Sequence, residues 1–381
     1  MKCCLDKINS LLFELLQMAL DASGQKRQFV KAPSDDEWKS VYVLAKCQCV
    51  LGIAFAGIKK LPEQHRPAKS LLLRWVADAQ AIRCRNQLMN RETARLTMLF
   101  DGARRQNVVL KGQANAALYP DPLARQPGDI DIWVGGGRDR VYDLLVQMKL
   151  LKRIPEYNLD EHHIHLPKTK DEIDVEVHFK PAFGNPVCND RLQDFLNEEI
   201  CNVQKLPEGF YAPSIKFALV MQLSHLQQHF YTSGIGLRQF ADYLMLLRHS
   251  SEKDRKDAFA IVKKFYMKRM CGAVMWVLKT VFGLERKQML CEPDCWRGKK
   301  LLKHALYGGD FGRFASNKHN VLVRCVCHHL QRLVMLPFDP VNVFFVELKS
   351  WRWAISLIPF CVRQRKIDLR VDSSPKFLST T

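Results

Sequence analysis

VVLKGQANAALYPDPLARQPGDIDIWV, residues 108–134, opens on an apolar run ending at Lys111-Gly112 and closes on a second strand-like run that carries Asp129 and Asp131. Residues two apart on a strand share a face, so the two carboxylates stand side by side while Ile130 and Ile132 point the opposite way into a core. Adjacent carboxylates repel unless something positive sits between them, and a hard divalent cation such as Mg2+ accepts this kind of oxygen pair. A solvated strand edge would show the same D-I-D pattern, so the pair needs support from elsewhere in the chain.

IDVEVHF, residues 173–179, supplies it. Asp174, Glu176 and His178 share one face and Val175, Val177 and Phe179 the other. Laid beside the first strand, this segment brings Glu176 as a third carboxylate to a cation held by Asp129 and Asp131. Three acidic oxygens together with nucleotide phosphates suit Mg2+, with Mn2+ as the substitute, which neutralises phosphate charge and activates an attacking hydroxyl. Glu176 and Asp174 are both candidates for the general base, and the sequence favours neither. HHIHLP, joined to this strand by KTKDE, reads as the other half of a hairpin, with His163 and His165 on one face and His162 on the other. Those histidines either flank the acidic site or are the polar outer residues of a half-exposed hairpin.

Helical periodicity surrounds this segment. Helices are expected over 8–20, over 37–59 with a capping signal from Ser34 to Glu37, and over 69–106. Further helices are expected over 139–149, 214–231, 236–249 and 254–282. The fold class is therefore α+β, a small mixed sheet with helices, flanked by helical regions. The expected divisions are a helical N-terminal region 1–106, a catalytic core 107–206, a helical C-terminal domain 207–370 and a flexible tail 371–381.

The 381 residues include 58 Lys plus Arg against 39 Asp plus Glu, a formal charge of +19 that favours polyanionic partners without choosing among nucleotides, nucleic acid and anionic membrane surfaces. Composition at 47% hydrophobic and 25% charged is ordinary for a globular protein and argues against large-scale disorder. The 13 cysteines are odd in number and scattered, unlike a secreted disulfide scaffold, so a reducing cytoplasm is the simplest location. No run approaches the length of a membrane span, and acidic residues Asp6, Glu14 and Asp21 make the N-terminal segment an amphipathic helix rather than a signal peptide.

Four other groups are worth placing. His225 and His229, four apart on a helix, suit a zinc pair, packing, or contact with an acceptor. Arg238 and Asp242, at the same spacing, point either to the cleft or to an intrahelical ion pair. Cys291, Cys295, Cys325, Cys327, His328 and His329 include enough zinc ligands, but at spacings that favour free thiols. The basic run 253–300, interleaved with Phe259, Phe265, Tyr266 and Trp276, is either a nucleic-acid surface or a solvated face over core aromatics.

The order LKG, a small-residue helix, YPDP, Arg125, then GDID followed by hydrophobics resembles the uncharacterised nucleotidyltransferase family of the DNA polymerase beta-like superfamily, and VEVHF is similar to that family's third-carboxylate strand. The segments DEWKSVYVLAKCQCVLGIAFAGIKKLP, HLQQHFYTSGIGLRQFADYLMLL and GGDFGR resemble its counterparts in the same order, from about residue 38 to 339. The resemblance implies a minimal nucleotidyltransferase core that moves a nucleoside monophosphate from a nucleoside triphosphate, ATP foremost, to a hydroxyl on RNA, protein, a sugar or a small molecule. It makes Asp129, Asp131 and Glu176 the catalytic metal ligands, and places Lys111, Gly112, Gln113 and Arg125 at the nucleotide. Superfamily members usually carry Gly-Ser at the turn; here Gly112-Gln113 stands there, so Gln113 or Lys111 has to replace the serine's phosphate contact. Arg125 contacts phosphate or pins the loop. The competing expectation is a non-catalytic module on the same fold that binds nucleotide or nucleic acid.

Overall fold

A computed structural model describes residues 2–21, 29–153, 162–182, 187–232, 234–308, 329, 333 and 335–352. The chain divides into two compact units, Met1–Lys318 and His319–Thr381. In the second, the described residues include a helix over 340–352, and the His329 imidazole contacts the Glu347 carboxylate.

Four helices precede the sheet: α1 (Lys2–Leu20), α2 (Asp35–Cys47), α3 (Leu51–Lys60) and α4 (Lys69–Gly102). The mixed segment runs β1 (Asn107–Val109), α5 (Gln113–Ala116), β2 (Ile130–Val134), α6 (Arg138–Gln147), β3 (His163–His165) and β4 (Val175–His178). Then come α7 (Asn189–Glu199), the strands β5 (Val203–Lys205) and β6 (Tyr211–Pro213), and the helices α8 (Ile215–Thr232), α9 (Leu237–Arg248), α10 (Glu252–Lys264), α11 (Lys268–Phe282) and α12 (Cys295–Gly308). Among the described residues, no helix is long and apolar enough to cross a membrane.

The main sheet has four strands in the order β1-β2-β4-β3. β2 runs antiparallel to β1 and parallel to β4, and the expected hairpin pairs β3 with β4 antiparallel. Strand alternation does the sorting. Ile130, Ile132, Val134, Val175, Val177 and Ile164 enter one core with Met89, Leu96 and Phe100 of α4 and Val141 and Leu145 of α6. Asp131, Glu176 and His178 are left on the opposite face. The fold is thus α+β, a small mixed sheet with helices packed on its apolar side and helical segments before and after it.

Two long helices expected from periodicity are each broken. The stretch 37–59 forms α2 and α3, separated at Gln48-Cys49-Val50, with Cys49 at φ 53. Gln48 holds the break open: its Nε2 donates to the Ala305 carbonyl of α12 at 3.0 Å, and its Oε1 accepts the Leu237 N–H at the start of α9 at 3.0 Å. A left-handed residue costs on the order of 1 kcal/mol, which two buried hydrogen bonds offset. The stretch 254–282 forms α10 and α11, which meet at Tyr266 with φ 58; the turn exposes Tyr266 while Phe265 and Met267 on either side are fully buried. Apolar periodicity continues through both breaks, which is why the sequence does not reveal them. The expected cap at Ser34 is present, its side chain accepting the Glu37 N–H while the Glu37 carboxylate accepts the Ser34 N–H. The β5–β6 hairpin is unanticipated; its turn LPEGF places Gly209 at φ 94.

The loop that delivers Asp129 is clamped from below. Arg83 of α4 binds both Asp121 oxygens at 2.9 and 2.7 Å, and Asn86 donates to the carbonyls of Leu123 and Arg125 at 2.9 and 2.7 Å. α3 approaches so closely at Gly52 that a Cβ there would lie 2.4 Å from the Ala124 carbonyl oxygen.

Candidate active site

β2 and β4 set Asp131 directly opposite Glu176 across the parallel pairing, one step above Ile130–Val175. Asp131 is buried at 1% exposure, and its two oxygens have different surroundings. Oδ1 meets the Lys111 ammonium at 3.2 Å and the His178 Nε2 at 3.1 Å, whereas Oδ2 is buried with no hydrogen-bond partner. His178 Nε2 also lies 3.4 Å from Glu176 Oε2. Single ligand atoms from Asp131, Glu176 and His178 fall within 4.8 Å of one another. Asp129, at the head of β2, is outside that tight group but lines the same cleft as Asp131, Lys111 and Gly112.

Electrostatics divides the charges. Burial alone would depress the Lys111 ammonium, but Asp131, Asp129 and Glu176 together hold it above its ordinary value. Burial would raise Asp129, yet the nearby Lys111 keeps it below the usual carboxylate range. For Asp131, burial and then the Asp129 charge win, and its carboxyl is pushed up. Burial works against Glu176 as well, but the His178 hydrogen bond and the His163 field bring it down to about 2. His178 is raised, because its bonds to Asp131 and Glu176 outweigh burial.

The opposite wall is helical. Gln222, His225 and Leu226 of α8 and Arg238, Gln239 and Asp242 of α9 face the strand residues across the cleft. His225, which lines the cleft, has its Nε2 3.5 Å from Lys111 Nζ and 2.9 Å from His229 Nε2. Arg238 is buried, and it reaches the Gln126 carbonyl at 3.4 Å. Asp242 binds Arg125 in a two-pronged pair at 2.7 and 2.7 Å and accepts the Tyr119 hydroxyl at 2.7 Å. Arg125 lines the cleft as well, and its guanidinium pair with Asp242 ties the YPDPLAR loop to α9.

Gln113 is not brought to the cleft. It lies one residue after Gly112, whose φ of 63 turns the chain sharply, and its side-chain amide donates to Asn90 and Asn86 of α4. Lys111, by contrast, lines the cleft. Asp174 is exposed and lies 3.6 Å from Lys168. Cys291 lies against Cys271 with sulfurs 3.5 Å apart and Cys295 is exposed, while Cys325, Cys327 and His328 lie outside the described residues. In the basic run Phe265 is core and Trp276 packs under Gly298 of α12.

The sequence matches the family described as uncharacterised nucleotidyltransferase over residues 34–283, from the cap of α2 to the glycine that ends α11. The chain belongs to this family. The match covers about two thirds of the chain and stops short of GGDFGR, most of which lies outside the described residues. No curated protein matches the sequence. Among solved structures, an antigenic nucleotidyltransferase-like protein from Paracoccidioides brasiliensis aligns at 14% identity over 54% of this chain and 94% of its own, with a TM-score of 0.28, a likeness too loose to carry any residue across. Within this family member's cleft and its supporting loop, the residues that sequence reasoning missed are Tyr119, Asn86, Gln222 and Gln239. Asn86 left one signal, an amide on the largely apolar buried stripe of α4.

Burial first, and then the Lys111 charge, push His229 down from 6.5 to about 4. Between those values the unfolded chain binds the extra proton, so stability is complete above pH 6.5 and is lost as pH falls toward 4. The loss attributable to this residue is on the order of 3 kcal/mol. Thermal midpoints recorded across that range are expected to fall less steeply for His229→Gln than for the wild type; an identical slope would remove His229 as the cause.

Proposed function

We propose that the protein is a Mg2+-dependent nucleotidyltransferase that moves a nucleoside monophosphate from a nucleoside triphosphate, ATP first among the candidates, to a hydroxyl acceptor and releases pyrophosphate. The observation that carries this reading is the buried, unpartnered Oδ2 of Asp131 beside Glu176, in a cleft lined by the cations Lys111 and Arg238 and by Arg125, which pairs with Asp242. An orphaned carboxylate oxygen in a group of acidic donors fits a hard cation, with Asp131 and Glu176 as ligands and Asp129 completing the set. When bound, the cation neutralises phosphate charge and activates the acceptor hydroxyl.

The chain's own residues do the rest. Lys111 stays charged because three carboxylates surround it, and it offers a compact positive charge to phosphate oxygens. Arg238 supplies a second cation from the far wall. Gly112, in its left-handed conformation, lets the backbone turn under the triphosphate without a side chain in the way. Glu176 is set against Asp131 as a ligand, whereas Asp174 is exposed beside Lys168. Gln222, His225 and Gln239 form the face on which an acceptor would rest. The scattered cysteines, with no disulfide among those described, suit a reducing cytoplasm.

Incubation with each α-phosphate-labelled triphosphate, Mg2+ and cell extract tests the proposal, with Asp129→Ala/Asp131→Ala as the control. Label transfer by the wild type alone supports it and reveals whether the acceptor is RNA, protein, sugar or small molecule. Triphosphate binding without transfer would assign a binding module instead, and the absence of both would overturn the reading.

A further inference from the structure

Six of the chain's 12 histidines, His162, His163, His165, His178, His225 and His229, gather around the acidic face of one small sheet, and the nucleotide chemistry requires none of them. Four belong to β3, the residue before it, and the end of β4. His162 and His163 rings lie 4.2 Å apart, those of His163 and His165 4.5 Å, and those of His163 and His178 5.2 Å. We propose that His163, His165 and Glu176 form a site for a borderline divalent cation of the zinc class, adjoining the carboxylates that would hold Mg2+ and sharing Glu176 with them.

The strand register makes the site. β3 pairs with β4 so that His165 faces Glu176 and His163 faces His178. One ring nitrogen from each histidine and one oxygen of Glu176 fall within 4.8 Å of one another. His163 Nε2 and His165 Nε2 are 2.9 Å apart, and His165 Nδ1 is 3.7 Å from Glu176 Oε1. The second distance is too long for a hydrogen bond. Two ligands each about 2.1 Å from one tetrahedral ion stand about 3.4 Å apart. The two histidine nitrogens at 2.9 Å are near that spacing; the Glu176 distance is to the other nitrogen of His165, and with one atom from each residue all three ligand atoms lie within 4.8 Å of one another.

Ligand chemistry assigns the ion. Imidazole suits zinc-class metals, whereas Mg2+ demands oxygen and retains its water. The Glu176 carboxylate serves both sides without conflict: Oε1 turns to His165 and Oε2 to His178 and the Asp131 side. His165, with a side chain 67% exposed, leaves the ion a route in and an open coordination position, as in zinc sites with two histidines and one carboxylate. An ion there would lock the edge strand β3 to β4 and hold Glu176 in the rotamer the cleft requires.

The test is zinc titration of tag-free, chelator-stripped full-length protein, followed by calorimetry and by visible absorption with Co2+ as reporter. The wild type is expected to bind one Zn2+ and to give Co2+ bands that Zn2+ displaces. His165→Ala and Glu176→Gln should each weaken binding by at least about 100-fold, the upper end of what even a residue behind a metal ligand contributes. Because His165 is exposed, its loss does not disturb the core, and a circular dichroism melt confirms the fold. Asp129→Asn should retain Zn2+ while losing Mg2+-dependent nucleotide binding, which separates this site from the nucleotide site. Absence of stoichiometric Zn2+ in the wild type, undiminished binding in His165→Ala, or loss of Zn2+ in Asp129→Asn would overturn the assignment.

Discussion

Asparagine in place of Asp131 is expected to abolish label transfer and leave the fold standing. Removing a group that stabilises charge at a reacting phosphate typically costs about 10^3-fold in rate. The stability change should be small, within about 1 kcal/mol, because the native carboxylate is already uncomfortable: burial and the Asp129 charge push it up. Asparagine removes that repulsion along with the contacts to Lys111 and His178. Lys111 keeps the fields of Asp129 and Glu176 and is itself 20% exposed, so it is not left as an isolated buried charge. Transfer assays and urea unfolding on the same preparation check both halves. Retained transfer would remove Asp131 from the chemistry, and an unfolded variant would show that its role is structural.

The opposite pattern is expected at Asp242. Its pair with Arg125 is buried on both sides, at 7% and 5% side-chain exposure. Asp242→Ala leaves the guanidinium without its two-pronged partner and Tyr119 without its acceptor, and should cost about 3–5 kcal/mol in unfolding free energy. Arg125→Met/Asp242→Leu, which removes both charges, should recover most of that loss. Transfer is expected to fall in both variants, since the loop that presents Asp129 loses its tie to α9. A single substitution as mild as the double one would mean that the ion pair contributes little.

The sheet was legible because alternation leaves few choices. Once Ile130, Ile132, Val175 and Val177 have to share a core, Asp131 and Glu176 have to share the other face, and a parallel pairing sets them opposite. Capping at Ser34 was legible for a similar local reason, a hydroxyl and a carboxylate three residues apart. The helix breaks were not, because Gln48 is justified only by partners at Leu237 and Ala305, far away in sequence. Arg125 was ambiguous for the same reason, since nothing near it in the chain announces Asp242. Gln113 looked like a substitute for the phosphate-binding serine, and only the turn at Gly112 shows its amide directed to Asn90 and Asn86.

Gln48 also has a consequence for how the protein is made. A side chain near the start of the chain closes hydrogen bonds to Leu237 and Ala305, while Lys111 waits for His225 and Tyr119 for Asp242. During synthesis from the N-terminus, the sheet and its carboxylates emerge long before the helices that form the far wall. Such a topology, rich in distant pairings, assembles slowly and leaves apolar surface uncovered in the meantime. A nascent chain halted before α9 would carry the acidic strand pair but no enclosed cleft, which ties the timing of competence to the ribosome's progress rather than to the local stability of the sheet.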